Sequence, residues 1–165
     1  MIIFTSALLA ACSISSGSRN VYSSRVEQTL THKSLYYIGA TEQKDRKRLK
    51  EILGVDPVTT QWCAAFVNMI LLENNLQTSA AVSKYPLMAR SFLEWGTEVT
   101  EPQKGDIVVF KRGSSWQGHV AFYVSTTTDQ NGTKYYNVLG GNQDDAVSIK
   151  PYAVSRVISI RRLVN

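Results

Sequence analysis

Two residues able to do nucleophilic chemistry stand 56 positions apart in this chain, Cys63 and His119. Cys63 is one of two cysteines and His119 one of two histidines. Gln61-Trp62-Cys63-Ala64-Ala65-Phe66 opens an apolar stretch that reads as a buried helix. Gly118-His119-Val120-Ala121-Phe122-Tyr123 opens an alternating stretch that reads as a strand. A thiol near the first turn of a helix feels the positive end of the helix dipole and nearby unsatisfied amides, which favour the thiolate. The same amides can hold the oxyanion of a tetrahedral intermediate. A neighbouring imidazole would take the thiol proton and later give one to the leaving amine. Each residue alone also has a plain structural reading: Cys63 as a small core hydrophobe, His119 as an ordinary strand residue. His32, in a weakly helical segment with no partner motif, reads as structural.

A third group should orient the imidazole and hold its tautomer. The stretch Leu139-Gly140-Gly141-Asn142-Gln143-Asp144-Asp145 ends the next strand, which a meander brings back beside the histidine strand. Asn142 and Asn137 are the candidates, with Asp144 and Asp145 behind them. The paired glycines read equally well as a plain turn or as an unusual one that aims Asn142 inward.

The elements that must position these groups divide the chain into a helical first half and a strand-rich second half. Helices are expected at about Ser24–Ile38, Asp45–Leu53, Trp62–Leu76 and Pro86–Trp95, with Gly39, Gly54 and Gly96 as stops. The third is apolar nearly all round and should be central. Strands are expected at Asp106–Phe110, His119–Ser125, Tyr135–Leu139, Ala146–Lys150 and Val154–Arg162. Asp129-Gln130-Asn131-Gly132 forms a hairpin turn, and Pro151 breaks the chain between the last two strands. Helices first and an antiparallel meander of about five strands afterwards imply an α+β domain.

At 165 residues, 44% hydrophobic and 19% charged, the chain has the size and composition of one globular domain. A net charge of +5 suits acidic partners such as nucleic acid, anionic lipid or an anionic cell wall. The densest basic cluster, Lys44 to Lys50, is interrupted by Asp45 and flanked by Glu42 and Glu51. It reads as a solvated helix face, so no nucleic-acid partner is expected. Two distant cysteines and two unconnected histidines make no zinc site, and no glycine-rich phosphate loop is present. No metal and no cofactor are expected.

The first 20 residues read as a leader, with residues 21–165 as the single domain. Ile2 to Ala11 is a short apolar run of signal-peptide length, although no Lys or Arg precedes it. Leu9-Ala10-Ala11-Cys12, followed by a polar Ser-rich stretch, resembles the lipobox of bacterial lipoproteins, in which the cysteine is lipidated. The alternatives are a buried first segment or a misassigned start. On the export reading Cys12 is the lipidation site, and Cys63 is left as a free thiol without a disulfide partner.

Four motifs in order carry a family resemblance over roughly Leu35 to Arg162. Trp-Cys-Ala-Ala-Phe-Val-Asn at Trp62–Asn68 resembles the nucleophile helix of the NlpC-type cysteine peptidases and their CHAP amidase relatives. Gly105-Asp106-Ile107-Val108-Val109-Phe110 and Gly118-His119-Val120-Ala121-Phe122-Tyr123 are similar to that family's two central strands. Val138-Leu139-Gly140-Gly141-Asn142-Gln143 resembles a branch common among bacteriophage lysis proteins and bacterial cell-wall hydrolases. The resemblance implies a papain-like fold that hydrolyses an amide of peptidoglycan, in the stem peptide or at the muramoyl-peptide linkage. It implies Cys63 as nucleophile, His119 as base and acid, and Asn142 as the orienting residue. Gln61 is a further candidate for the oxyanion and Trp116 for substrate contact, while Trp62 and Trp95 read as core. A monomer exported to the cell envelope or periplasm, with or without a lipid anchor, or a phage protein acting on its host's wall, fits this reading. The alternatives are a non-catalytic wall-binding or phage structural module and an acyltransferase on the same scaffold.

Overall fold

The apolar run after Trp62 organises the chain. In the computed structural model, which describes residues 29–163, that run forms the buried helix on which the other elements pack. The leader with Cys12, and the start of the first expected helix, lie outside the described residues. Helix α1 covers 29–35, and Gly39 then turns the chain in a left-handed conformation (φ 86°). Helix α2 is Arg46–Leu53, ended by Gly54 at φ 69°. Helix α3 is Cys63–Glu73, and its Ala64, Phe66, Val67, Ile70 and Leu71 are fully or almost fully buried.

The expected fourth α-helix is instead a tight 3-10 helix, Ala89–Glu94. The Pro86 carbonyl accepts from Asn68 Nδ2 (2.9 Å) of α3 and from Ser79 Oγ (3.3 Å), so both its lone pairs are engaged and it does not start an α-helical ladder. Asn68 also accepts from the Ser79 amide (2.9 Å), so one side chain ties residues 79–86 to the central helix.

Six antiparallel strands follow: β1 (Thr97–Val99), β2 (Ile107–Lys111), β3 (Gly118–Thr128), β4 (Lys134–Gly140), β5 (Ser148–Ala153) and β6 (Val157–Arg162). Their order in the sheet is β1-β6-β2-β3-β4-β5. The meander therefore holds from β2 to β5, but β6 returns across the molecule to lie between β1 and β2. Pro151 sits inside β5 and does not break it. As β5 is an edge strand, a residue without an N–H is tolerated there.

Alternation along the strands divides the core. Ile107, Val109, Val120, Phe122 and Leu139 pack under the helices. Val108, Phe110, Ala121, Val138 and Ile160 form a second cluster on the other face, partly covered by Tyr123, Tyr136 and Tyr152. The architecture is α+β, N-terminal helices on a C-terminal antiparallel sheet, as the papain-like expectation has it. Asp106, in the turn before β2, is fully buried and pairs with Arg162 of β6 through two contacts of 2.9 and 2.7 Å.

Candidate functional site

Cys63 is the first residue of α3, and the amides of Ala64 and Cys63 itself face its sulfur. So does the amide of Val120 from β3. Strand β4 pairs Leu139 with Phe122 and ends at Gly140, just before it would come level with Val120. The two glycines at this point serve close approach, and neither has positive φ. A Cβ on Gly140 would lie 2.8 Å from that of Ala121, and one on Gly141 would run into the Trp62 ring and lie 2.7 Å from Phe66 Cβ. The left-handed residues are the ones that follow, Asn142, Asp144 and Asp145 (φ 54–60°).

Desolvation outweighs the helix-end amides at Cys63. The side chain is 4% exposed, and burial pushes the thiol up. The Val120 and Ala64 amides and the charge of Arg112 oppose this without overcoming it. The helix-end amides favour the thiolate, as expected, but burial outweighs them. His119, from the start of β3, is also fully buried, and desolvation lowers its pKa to about 4. Arg112 and Arg156 push in the same direction, while the hydrogen bond that His119 donates to Gln143 opposes.

Gln143, not Asn142, meets the imidazole: its Oε1 lies 3.1 Å from His119 Nε2. Its Nε2 donates to the carbonyls of Ser148 (2.5 Å) and Val138 (3.4 Å), which fixes the oxygen toward the histidine. An acceptor at Nε2 requires the proton to be there, so Nδ1 carries the lone pair. Nδ1 is buried and has no hydrogen-bond partner among the described residues. Tyr152 of β5 stacks on the imidazole with centroids 4.8 Å apart and planes at 11°, and the Arg156 guanidinium lies 5.6 Å from the centroid of that tyrosine ring.

Asn142 points elsewhere. Its Nδ2 donates to Gln61 Oε1 at 3.1 Å, which leaves the Gln61 amide nitrogen to face away from it. Asn137 donates to Ser125 Oγ (3.0 Å) on the neighbouring strand and has no bond to His119. Trp62 and Trp95 are buried, with indole N–H groups on Glu42 (3.1 Å) and the Gln77 carbonyl (2.7 Å), whereas Trp116 is 62% exposed. A cleft of about 420 Å³ lies over the thiol, lined among others by Gln61, Leu87, Arg112, Trp116 and Gln117.

The CHAP domain family matches residues 55–142, a segment that contains both Cys63 and His119. The chain belongs to the CHAP domain family. As a CHAP domain it is a cysteine hydrolase, and its general substrate is peptidoglycan. No curated protein and no solved structure matches the chain.

Three residues of this CHAP site were not singled out from the sequence: Gln143, Tyr152 and Arg112. Gln143 lies one position past the matched segment. The only signal for it was an uncharged amide between Asn142 and two aspartates, which does not separate it from Asn142. Tyr152 comes from an edge strand, beyond the reach of local spacing. Arg112, at the start of the loop before His119, was the most legible of the three.

Proposed function

We propose that Cys63 is the nucleophile, His119 the general base and acid, and Gln143 the residue that fixes the imidazole. The reaction is hydrolysis of a peptidoglycan amide, within the stem peptide or at its link to muramic acid. The observation that carries this reading is the His119 Nε2–Gln143 Oε1 bond, which leaves a bare, buried Nδ1 on the residue next to the amide that faces the Cys63 sulfur.

In the first half-reaction Cys63 Sγ attacks the carbonyl carbon as its proton passes to His119 Nδ1. The oxyanion is held by the amides at the start of α3 and by the Gln61 side-chain N–H, which Asn142 orients from behind. Collapse breaks the C–N bond, and Nδ1 returns the proton to the departing amine. Water then attacks the thioester, giving its proton to Nδ1, and the acid leaves as the thiol is restored. Neutral partners at rest favour general-base transfer over a preformed ion pair.

Gln61, Arg112 and Gln117 make the cleft partly polar, which supports water as acceptor over the dry channel that an acyltransferase would want. Work on a wall polymer puts the enzyme outside the cytoplasm, in keeping with the signal-like leader and lipidation at Cys12. The experiment is digestion of purified sacculi followed by mass spectrometry of the products, which also identifies the bond cut. Wild type should release new amines and Cys63→Ala none. Equal release from both would sink the reading.

A further inference from the structure

Among the described residues, Arg112 is the one charged residue that lines the cleft over Cys63. It makes no hydrogen bond or ion pair with another described residue. Asp144, whose carboxyl feels the Arg112 charge, is bonded instead to Lys150 Nζ at 2.7 Å. Arg112 and Cys63 line the same cleft, and the charge of Arg112 is felt at both Cys63 and His119.

The loop that carries it is built, not slack. Ser114 N donates to Gln117 Oε1 (2.8 Å), Gln117 N to Ser114 O (3.0 Å), and Arg90 Nε to Gln117 O (3.0 Å). Gly113 takes a left-handed turn (φ 55°), where a Cβ would collide with Gln117 Oε1. This ring of bonds holds Arg112 and the exposed Trp116 on one wall. Leu87, 45% exposed, Met88 and Ala89 contribute apolar surface to the same cleft.

A guanidinium with its donors free, beside a thiol that awaits an amide carbonyl, is a receptor for a carboxylate. We propose that Arg112 is a specificity residue that binds a free carboxylate of the peptide substrate, close to the amide presented to Cys63. Trp116 and Leu87 cover the aliphatic group beside that carboxylate. Peptide stems of the wall carry such groups at their termini and on acidic residues. The proposal rests on the cleft being the amide-cleaving site.

The test is calorimetric titration of the Cys63→Ala protein, which removes turnover, with a short synthetic stem peptide and with its fully carboxamidated twin. The free acid should bind about tenfold more tightly than the amide, the scale of one charge-assisted pair. Adding Arg112→Gln should bring both peptides to the weaker affinity, and Arg112→Lys should keep part of the preference. Because Arg112 is exposed, the melting temperature should not move. The same acid-to-amide ratio with and without Arg112 overturns the proposal, as does equal binding of both peptides, or binding of neither, by the Cys63→Ala protein. Sacculus digestion by wild type is scored separately. Digestion with an unchanged ratio removes only the carboxylate subsite, and no digestion with an Arg112-dependent ratio removes only the hydrolytic reading.

Discussion

His119 gives up all contact with solvent, and the cost of burying a charge there lowers its pKa from 6.5 to about 4. The unfolded chain therefore takes up a proton near pH 6.5 that the folded chain refuses until about pH 4. Between those values unfolding binds a proton, so stability falls as pH falls and levels off below about 4. The full effect is on the order of 3 kcal/mol. Urea unfolding at several pH values checks this, and His119→Gln should flatten the slope. An unchanged slope in the variant would show that other groups carry it. At the neighbouring pair, Asn142 donates to Gln61, and in the proposed mechanism it reaches the reaction through that side chain. Gln61→Ala and Asn142→Gly should each lower kcat by about 10²-fold with little change in KM, the effect of losing one oxyanion donor. Glycine tolerates the left-handed backbone at 142, so folding is retained. The double variant should be no slower than either single one; multiplied losses would mean that the two act independently.

Between elements, the joint that holds the sheet together is Asp106 with Arg162. Strand β6 inserts between β1 and β2, which are consecutive in sequence, and the buried Asp106 carboxylate receives two N–H groups from the Arg162 side chain at its end. Asp106→Asn removes the carboxylate charge that faces the mostly buried Arg162 guanidinium, which keeps its bond to the Glu101 carbonyl. A loss of about 3 kcal/mol is expected in denaturant unfolding, at the lower end for a broken buried pair because Arg162 keeps some access to water. Loss within experimental error of zero would mean that strand pairing alone places β6. The return of β6 is also what local sequence patterns did not reveal. Helix α3 was legible because the apolar run from Cys63 to Leu72, interrupted only by Asn68, leaves few alternatives, and β2 and β3 because their alternation is clean. The 3-10 helix was not, since Asn68, eighteen residues upstream, decides what the Pro86 carbonyl does. Strand β1 is three residues long, too short for any periodicity. At the site, Cys63 and His119 stood out by rarity and placement, whereas choosing between Asn142 and Gln143 required the course of a left-handed turn.

At the scale of the whole molecule, the net charge of +5 and the cationic cleft wall face a wall polymer rich in carboxylates. Raising ionic strength from about 0.05 M to 0.5 M should slow digestion of sacculi severalfold, since screening shortens to a few ångströms over that range. A neutral soluble ester that acylates Cys63 should be cleaved at nearly the same rate in both. Equal salt sensitivity of the two substrates would point to the fold, not to long-range attraction. The burial of Cys63 has a consequence of another kind. Peroxide and other oxidants attack the thiolate form of exposed cysteines. A sulfur that is 4% exposed and held protonated offers them little to react with. For the proposed nucleophile of an exported enzyme, the same burial that raises the pKa of the thiol would keep it chemically intact until a substrate fills the cleft.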